Sequence, residues 1–325
     1  MSVMTQNLRA VIWPLLNPDT GLLCMDRFAW GDMERAPGVY DFEAVHAAIR
    51  RAKNIKRYAM MEIGTQAPGW TQDRMDGFIR MIGALGSALE GERTVLGVVV
   101  SCPEEAACTP AQLARAAEAF RLAFPCARLF VRAGGAFDGL IPGAGRMVTQ
   151  EQLAACRDVW KDAPLCMEVD PADAQQIEAA IAGHVSILAA KTTAGCNEAT
   201  HAGYRFQVRR IEVDEGEKAD GNILVKVEFA NAGSLPCYSE AGFMFRLNGS
   251  DVNDYREYPL PLRASELMPG GTKTVSSRLD VSGLTPGEYD VHVGMFFDGT
   301  GYPASFGIEG RISDGYYEGR LILCL

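Results

Sequence analysis

Between residues 10 and 190 the chain alternates short apolar, β-branched runs with longer stretches whose apolar residues recur at helical spacing. This is the pattern of parallel strands joined by helices. Strands are predicted at Ala10 to Trp13, Leu22 to Ala29, Lys56 to Ile63, Val95 to Ser101, Ala127 to Arg132, Leu165 to Val169 and Val185 to Ala190. Helices are predicted at Phe42 to Lys53, Thr71 to Leu89, Thr109 to Phe124, Thr149 to Trp160 and Ala172 to Ala182. The first has apolar residues at 42, 45, 49 and 52, with Asp41 placed to cap it. Thr109 followed by Pro110 is a strong helix start. Together these elements fit a compact (β/α) barrel of the TIM type better than an open doubly wound sheet, because no Gly-rich phosphate turn follows the first strand. No helix fits between the first two strands, and Ala133 to Val148 reads as a Gly-rich loop where a further strand and helix could have stood, so both a complete and an incomplete barrel stay open.

After Lys191 the pattern changes. Thr192 to Gly203 is small and polar and reads as a linker. From Tyr204 onward strands alternate with turn signals: Phe206 to Val213, Asn222 to Asn231, Ala241 to Leu247, Thr272 to Leu279, Gly287 to Phe297 and Gly319 to Cys324. Helical periodicity is absent there, which predicts an immunoglobulin-like antiparallel β-sandwich. The expected organisation is therefore a barrel over residues 1–202 and a sandwich over residues 203–325, an α/β unit followed by an all-β one.

Composition narrows the function classes. Apolar residues make up 48% and charged residues 22%, values of a folded globular protein rather than a disordered one. The formal charge of −10 and the lack of a basic run argue against nucleic acid as a partner. No stretch approaches the length of an apolar membrane span, and Met1 to Ala10 lacks the features of a secretory signal. The expectation is a soluble cytoplasmic protein, or a mature form whose signal has been trimmed. The 9 cysteines are scattered without a C-x-x-C pair and His46, His184, His201 and His292 share no short spacing, so no metal site is expected. There is also no nucleophile elbow, Walker loop or H-E-x-x-H stretch.

One segment carries more than general pattern. Asn17-Pro18-Asp19-Thr20-Gly21, then Arg27-Phe28-Ala29-Trp30-Gly31-Asp32-Met33-Glu34-Arg35-Ala36-Pro37-Gly38-Val39-Tyr40-Asp41-Phe42, resembles the second-strand region of barrel glycosidases, including the beta-galactosidase-like families. Met61 to Trp70 is similar to the third-strand end and aromatic loop of the same group. With its C-terminal strands the whole chain resembles a bacterial family of glycosidase-like proteins in which a barrel runs into a β-sandwich that closes with a motif similar to Asp314-Gly315-Tyr316-Tyr317-Glu318-Gly319-Arg320. The resemblance implies a carbohydrate substrate and a reaction that needs no cofactor.

Barrel enzymes keep their working groups at the C-terminal ends of the strands. The acids at such points are Glu62, Glu104 and Glu105, and Glu168. Cleaving a glycosidic bond takes one protonated carboxyl to donate to the leaving oxygen and one carboxylate to attack or to activate water. Resemblance to the retaining barrel clan puts the acid/base at Glu104 or Glu105 and the nucleophile at Glu168. The clan's usual Asn before the fourth-strand glutamate is replaced here by Pro103 or Glu104. That departure keeps a second reading open, a carbohydrate-binding or assembly protein with a degenerate barrel. Glu104-Glu105 at a helix start is also what helix-dipole stabilisation alone would select. Asp26 and Arg27 point to opposite faces of one strand, and Arg27 is the better candidate for the interior. Trp30 and Trp70 are candidate sugar platforms, with loop packing as the competing role. Asp138 lies in the Gly-rich loop, where a turn role is the default.

Overall fold

A computed structural model of the chain describes residues 3–7, 21–55, 58–64, 70–92, 94–101, 108–125, 127–170, 172–190, 203–214, 221–250, 254–298, 301 and 303–325. It divides into two compact units, one of Leu22–Ala199 and one that joins Met1–Gly21 to Thr200–Leu325. The N-terminal boundary therefore differs from the expected barrel start at residue 1. Strand β1 (Val3–Asn7) pairs antiparallel with Phe206–Asp214, in register from Val3 with Asp214 to Asn7 with Arg210. The strand predicted at Ala10 to Trp13 lies outside the described residues, as does the linker up to residue 202.

The first unit is built from β2 (Gly21–Ala29), α1 (Trp30–Met33), a small hairpin of β3 (Glu34–Ala36) and β4 (Val39–Tyr40), α2 (Glu43–Asn54), β5 (Ala59–Gly64), α3 (Gln72–Ala88), β6 (Val95–Val99), α4 (Pro110–Ala123), β7 (Arg128–Arg132), β8 (Gly145–Val148), β9 (Leu165–Glu168), α5 (Ala174–Ala182) and β10 (Ile187–Ala190). Strands β2 and β5 to β10 form a closed barrel of 7 strands in chain order. The cap residues start the helices where the sequence places them. Thr109 and Gln112 make a reciprocal capping box on α4, and the Thr71 hydroxyl accepts from the Arg74 N–H on α3. Asp41 accepts from the Glu43 N–H at the start of α2.

Two expectations change. A strand, β8, stands at the end of the segment read as a Gly-rich loop; at four residues, beginning with Gly145, it is too short to show alternation. The helix predicted from Thr149 to Trp160 is instead two 3₁₀ turns, Gln150–Gln152 and Val159–Lys161. Its apolar residues Leu153, Cys156 and Val159 recur every third position, the spacing of a 3₁₀ rather than an α-helical face.

Alternation along each strand sorts the barrel into inside and outside. Met61, Ile63, Val98, Val100, Leu129 and Val131 pack outward with the helical residues Phe78, Ile82 and Phe120. Leu23, Met25, Met60, Val99, Phe130, Met147, Cys166, Ile187 and Ala189 fill the interior, so the barrel is a packed core and not a pore. The Phe130 ring takes the space that two glycines leave. A Cβ on Gly145 would sit 2.3 Å from Phe130 Cε1 and 2.9 Å from the Pro164 carbonyl oxygen, and one on Gly97 would sit 3.3 Å from Phe130 Cε2. Gly145→Ala is accordingly expected to destabilise the barrel by about 1–3 kcal/mol through overpacking, read as a lower urea midpoint at unchanged slope.

The second unit consists of β1, β11 (Phe206–Asp214), β12 (Asn222–Asn231), β13 (Ala241–Asn248), β14 (Tyr255–Arg263), β15 (Thr272–Asp280), β16 (Glu288–Phe297) and β17 (Tyr317–Cys324). They form two 4-stranded antiparallel sheets, β1-β11-β12-β15 and β14-β13-β16-β17, whose inner residues share one apolar core. The sequence reading missed β14. Pro259 and Pro261 interrupt its pattern, and prolines are tolerated there because β14 is an edge strand.

The outer face of the second sheet holds a buried polar cluster. Arg246 on β13 lies beside His292 on β16 in the sheet register, and its Nη2 donates to His292 Nδ1 at 3.1 Å. Its Nη1 donates to Asp314 at 2.5 Å, and the guanidinium lies 4.0 Å from the centre of the Tyr316 ring. The closing motif Asp314-Gly315-Tyr316 is thus seated on Arg246. Tyr316 and Tyr317 are both buried. Burial, then the Arg246 charge, hold His292 below its ordinary value, against Asp290, Asp314 and Glu318. The unfolded chain therefore takes up a proton near pH 6.5 that the folded unit resists. Stability from this group is complete above that pH and falls as the pH drops below it. Acidifying from about pH 7.5 to about pH 5.5 is expected to lower the melting temperature of this unit, and His292→Gln to flatten that slope. Equal slopes in the two proteins would refute the assignment.

Candidate active site

Above the apolar floor of the barrel, the next inward layer is charged. Arg27 on β2 is the register partner of Glu62 on β5, which puts the two side chains one strand spacing apart. Arg27 Nε donates to Glu62 Oε2 at 2.8 Å. The other end of the same guanidinium forks onto Glu168 on β9, Nη1 to Oε1 at 3.0 Å and Nη2 to Oε2 at 2.5 Å. Strand β10 stands between β2 and β9, and the residue it presents beside Glu168 is Ala189, whose short side chain leaves the lane open. Arg132, at the end of β7, donates through Nη2 to the second oxygen of Glu62. The result is a chain of four groups, Arg132, Glu62, Arg27 and Glu168, across the C-terminal end of the barrel.

The two carboxylates differ in what they can do. Glu62 is only 7% exposed and each of its oxygens faces a guanidinium, so it is a buried charge satisfied by its neighbours. The Glu168 side chain is 42% exposed and retains lone pairs that the Arg27 fork does not use. The Glu168 hydrogen bonds, opposed by partial burial and reinforced by Glu62, hold the Arg27 guanidinium above its ordinary range. Cys166 lies one inward position below Glu168, 3.6 Å from the Met60 sulfur, and burial first and Glu168 second push its thiol up. That thiol is a packing group, not a nucleophile. Both carboxylates accept from N–H donors, so a proton for a leaving group would have to come from another residue.

Glu104 and Glu105, the donor candidates from sequence, lie outside the described residues. Asp26 turns away from the interior and pairs with Arg51 of α2 at 2.6 Å. Trp30 and Trp70 stack on each other at 6.4 Å with planes 7° apart, and each meets Phe78 of α3 edge-on, at 5.6 and 5.7 Å. Both indoles are half-buried and pack against the outer core. Asp138 accepts from the Gly134 N–H at 3.0 Å and pairs with Arg146 at 2.7 Å, which makes it a brace of the β7–β8 loop. Arg132 is the group that sequence reasoning missed. It lies two positions past Phe130 on a strand that was recognised, so the alternation rule would have put it in the interior. Among the described residues no three His, Cys, Asp or Glu side chains converge as metal ligands, and no helix is long and apolar enough to cross a membrane.

No protein-family model matches the chain, and no curated protein matches it in sequence. Among solved structures it is similar to endo-glycoceramidase II from Rhodococcus sp., with a TM-score of 0.39 and 11% identity over 80% of this chain and 89% of that one. It is also similar to the endo-beta-1,4-mannanase from Thermotoga petrophila, with a TM-score of 0.37 and 8% identity over 87% and 96%. A third is the catalytic domain of the major endoglucanase from Xanthomonas campestris pv. campestris, with a TM-score of 0.35 and 9% identity over 51% and 74%.

Proposed function

We propose that the barrel acts on carbohydrate as a glycoside hydrolase, with Glu168 as the nucleophile or water-activating base and Glu104 or Glu105 as the proton donor. The observation that carries this reading is the placement of a half-exposed carboxylate at the C-terminal end of a barrel strand, aimed by an arginine that is itself held by Glu62 on the neighbouring strand. The Trp30 to Phe42 stretch, with its resemblance to barrel glycosidases, points the same way. Two carboxyls suffice for the chemistry, so the reaction takes no cofactor. Arg27 serves by orienting Glu168, because three of its five N–H donors, one on each nitrogen, are engaged with carboxylates. In this reading the second unit is an immunoglobulin-like β-sandwich, supported by two antiparallel sheets over one core.

A second reading has its own support: Pro103 or Glu104 stands where the barrel clan that the chain resembles has an Asn before the fourth-strand glutamate, which suits a barrel that binds sugar without cleaving it. A panel of nitrophenyl glycosides, followed in parallel by nitrophenolate release and by calorimetric binding, separates the two. Cleavage of at least one glycoside, lost in Glu168→Gln and in Glu104→Gln or Glu105→Gln, is the expected result. Binding without cleavage would install the second reading, and neither binding nor cleavage would remove both.

A further inference from the structure

We infer that Glu62 and Arg132 are positioning residues, and that they hold Arg27 in the orientation in which its fork meets Glu168. Arg27 is 46% exposed and Glu168 42%, so their ion pair taken alone is a solvated contact of little strength between two flexible side chains. What makes the pair directional is the bond at the other end. A guanidinium is planar, so fixing Nε–H fixes the direction of the two Nη donors as well. Glu62 supplies that anchor at Arg27 Nε and is buried, with no oxygen left over for a ligand. Its own carboxylate plane is set by two guanidiniums from opposite sides, Arg27 on Oε2 and Arg132 on Oε1. Without Arg132, whose side chain is 46% exposed at the strand end, Glu62 Oε1 would lose its guanidinium partner, and the carboxylate would be free to turn and share Arg27 with Glu168. Arg132 and Glu62 thus act on Glu168 without touching it. Glu62, one of the acids that the sequence places at a strand end, thereby takes a positioning role.

The kinetic consequence of the proposal rests on the hydrolase reading, but its structural content does not, and the test uses the difference. In the full chain labelled with ¹⁵N-arginine, the Arg27 side-chain signals, assigned by their loss in Arg27→Lys, report on the fork. A guanidinium held at both ends shows a slowly exchanging Nε–H and resolved Nη signals. Arg132→Met is expected to average the Arg27 Nη signals and speed exchange of its Nε–H while the backbone amide spectrum stays folded, and Arg132→Lys is expected to restore them in part. Should Arg132→Met fail to fold, Glu62→Gln, which keeps the volume, carries the same expectation. Wild-type Arg27 signals in a folded Arg132→Met or Glu62→Gln protein would overturn the inference, whether or not any glycoside is cleaved. On a glycoside that the wild type hydrolyses, both variants are expected to lower kcat by roughly 10- to 100-fold with little change in KM, the mark of a misaimed group. A loss confined to KM would also overturn it. If the wild type cleaves nothing, the hydrolase reading falls and the arginine signals still decide the relay.

Discussion

Replacing Phe130 by alanine is expected to lower the unfolding free energy of the barrel unit by about 3–5 kcal/mol. The ring is fully buried and belongs to the cluster that fills the barrel below the charged layer, with Met25, Met60, Val99, Met147 and Cys166. It occupies a volume that the chain has cleared for it, since on the flanking strands a Cβ on Gly145 would strike the ring and one on Gly97 would crowd it. Strands in a closed barrel are tied on both sides, so they cannot collapse into the void, and the cavity contribution is added to the lost transfer energy. Urea denaturation followed by a probe in the barrel measures the effect. A loss below about 1 kcal/mol would mean that the interior relaxes around the gap and that Phe130 does not organise the core.

How much of this was legible in the sequence follows from which signals are local. The strands carrying Arg27, Glu62, Arg132 and Glu168 were visible as apolar runs, and alternation alone separates inward Arg27 from outward Asp26, which the structure pairs with Arg51. The caps at Thr71 and Thr109 were readable because an N-cap is a contact between residues three apart. What escaped was set by distant partners. Strand β8 is four residues long and exists because β7 and β9 bracket it. Strand β14 is disguised by two prolines that only an edge position allows. The pairing of β1 with β11 joins residues some two hundred positions apart, and no local pattern announces it. The link from Arg27 to Glu168 spans 141 positions and depends on Ala189 of a third strand being small. Acidic residues at strand ends could be found by inspection. That two of them share one arginine, and that one is buried and the other open, is a property of the closed ring.

The second large effect falls on Glu168. Its carboxylate is the only one of the described ring that a ligand can reach, and it is the group toward which Arg132, Glu62 and Arg27 are successively aimed. Glutamine keeps the shape but removes the charge that would attack the anomeric carbon or take a proton from water. It also turns one acceptor of the Arg27 fork into a donor. A positioned group of this kind contributes on the order of 10²- to 10⁴-fold to rate. The outward Asp26→Asn is the matched control, since it alters a neighbouring charge on β2 without reaching the interior. The decisive measurement is kcat/KM of wild type, Glu168→Gln and Asp26→Asn on whichever glycoside the panel identifies. The account predicts a fall of at least about 10²-fold for Glu168→Gln and a value within about twofold of wild type for Asp26→Asn; hydrolysis by a folded Glu168→Gln protein at the wild-type rate would contradict it.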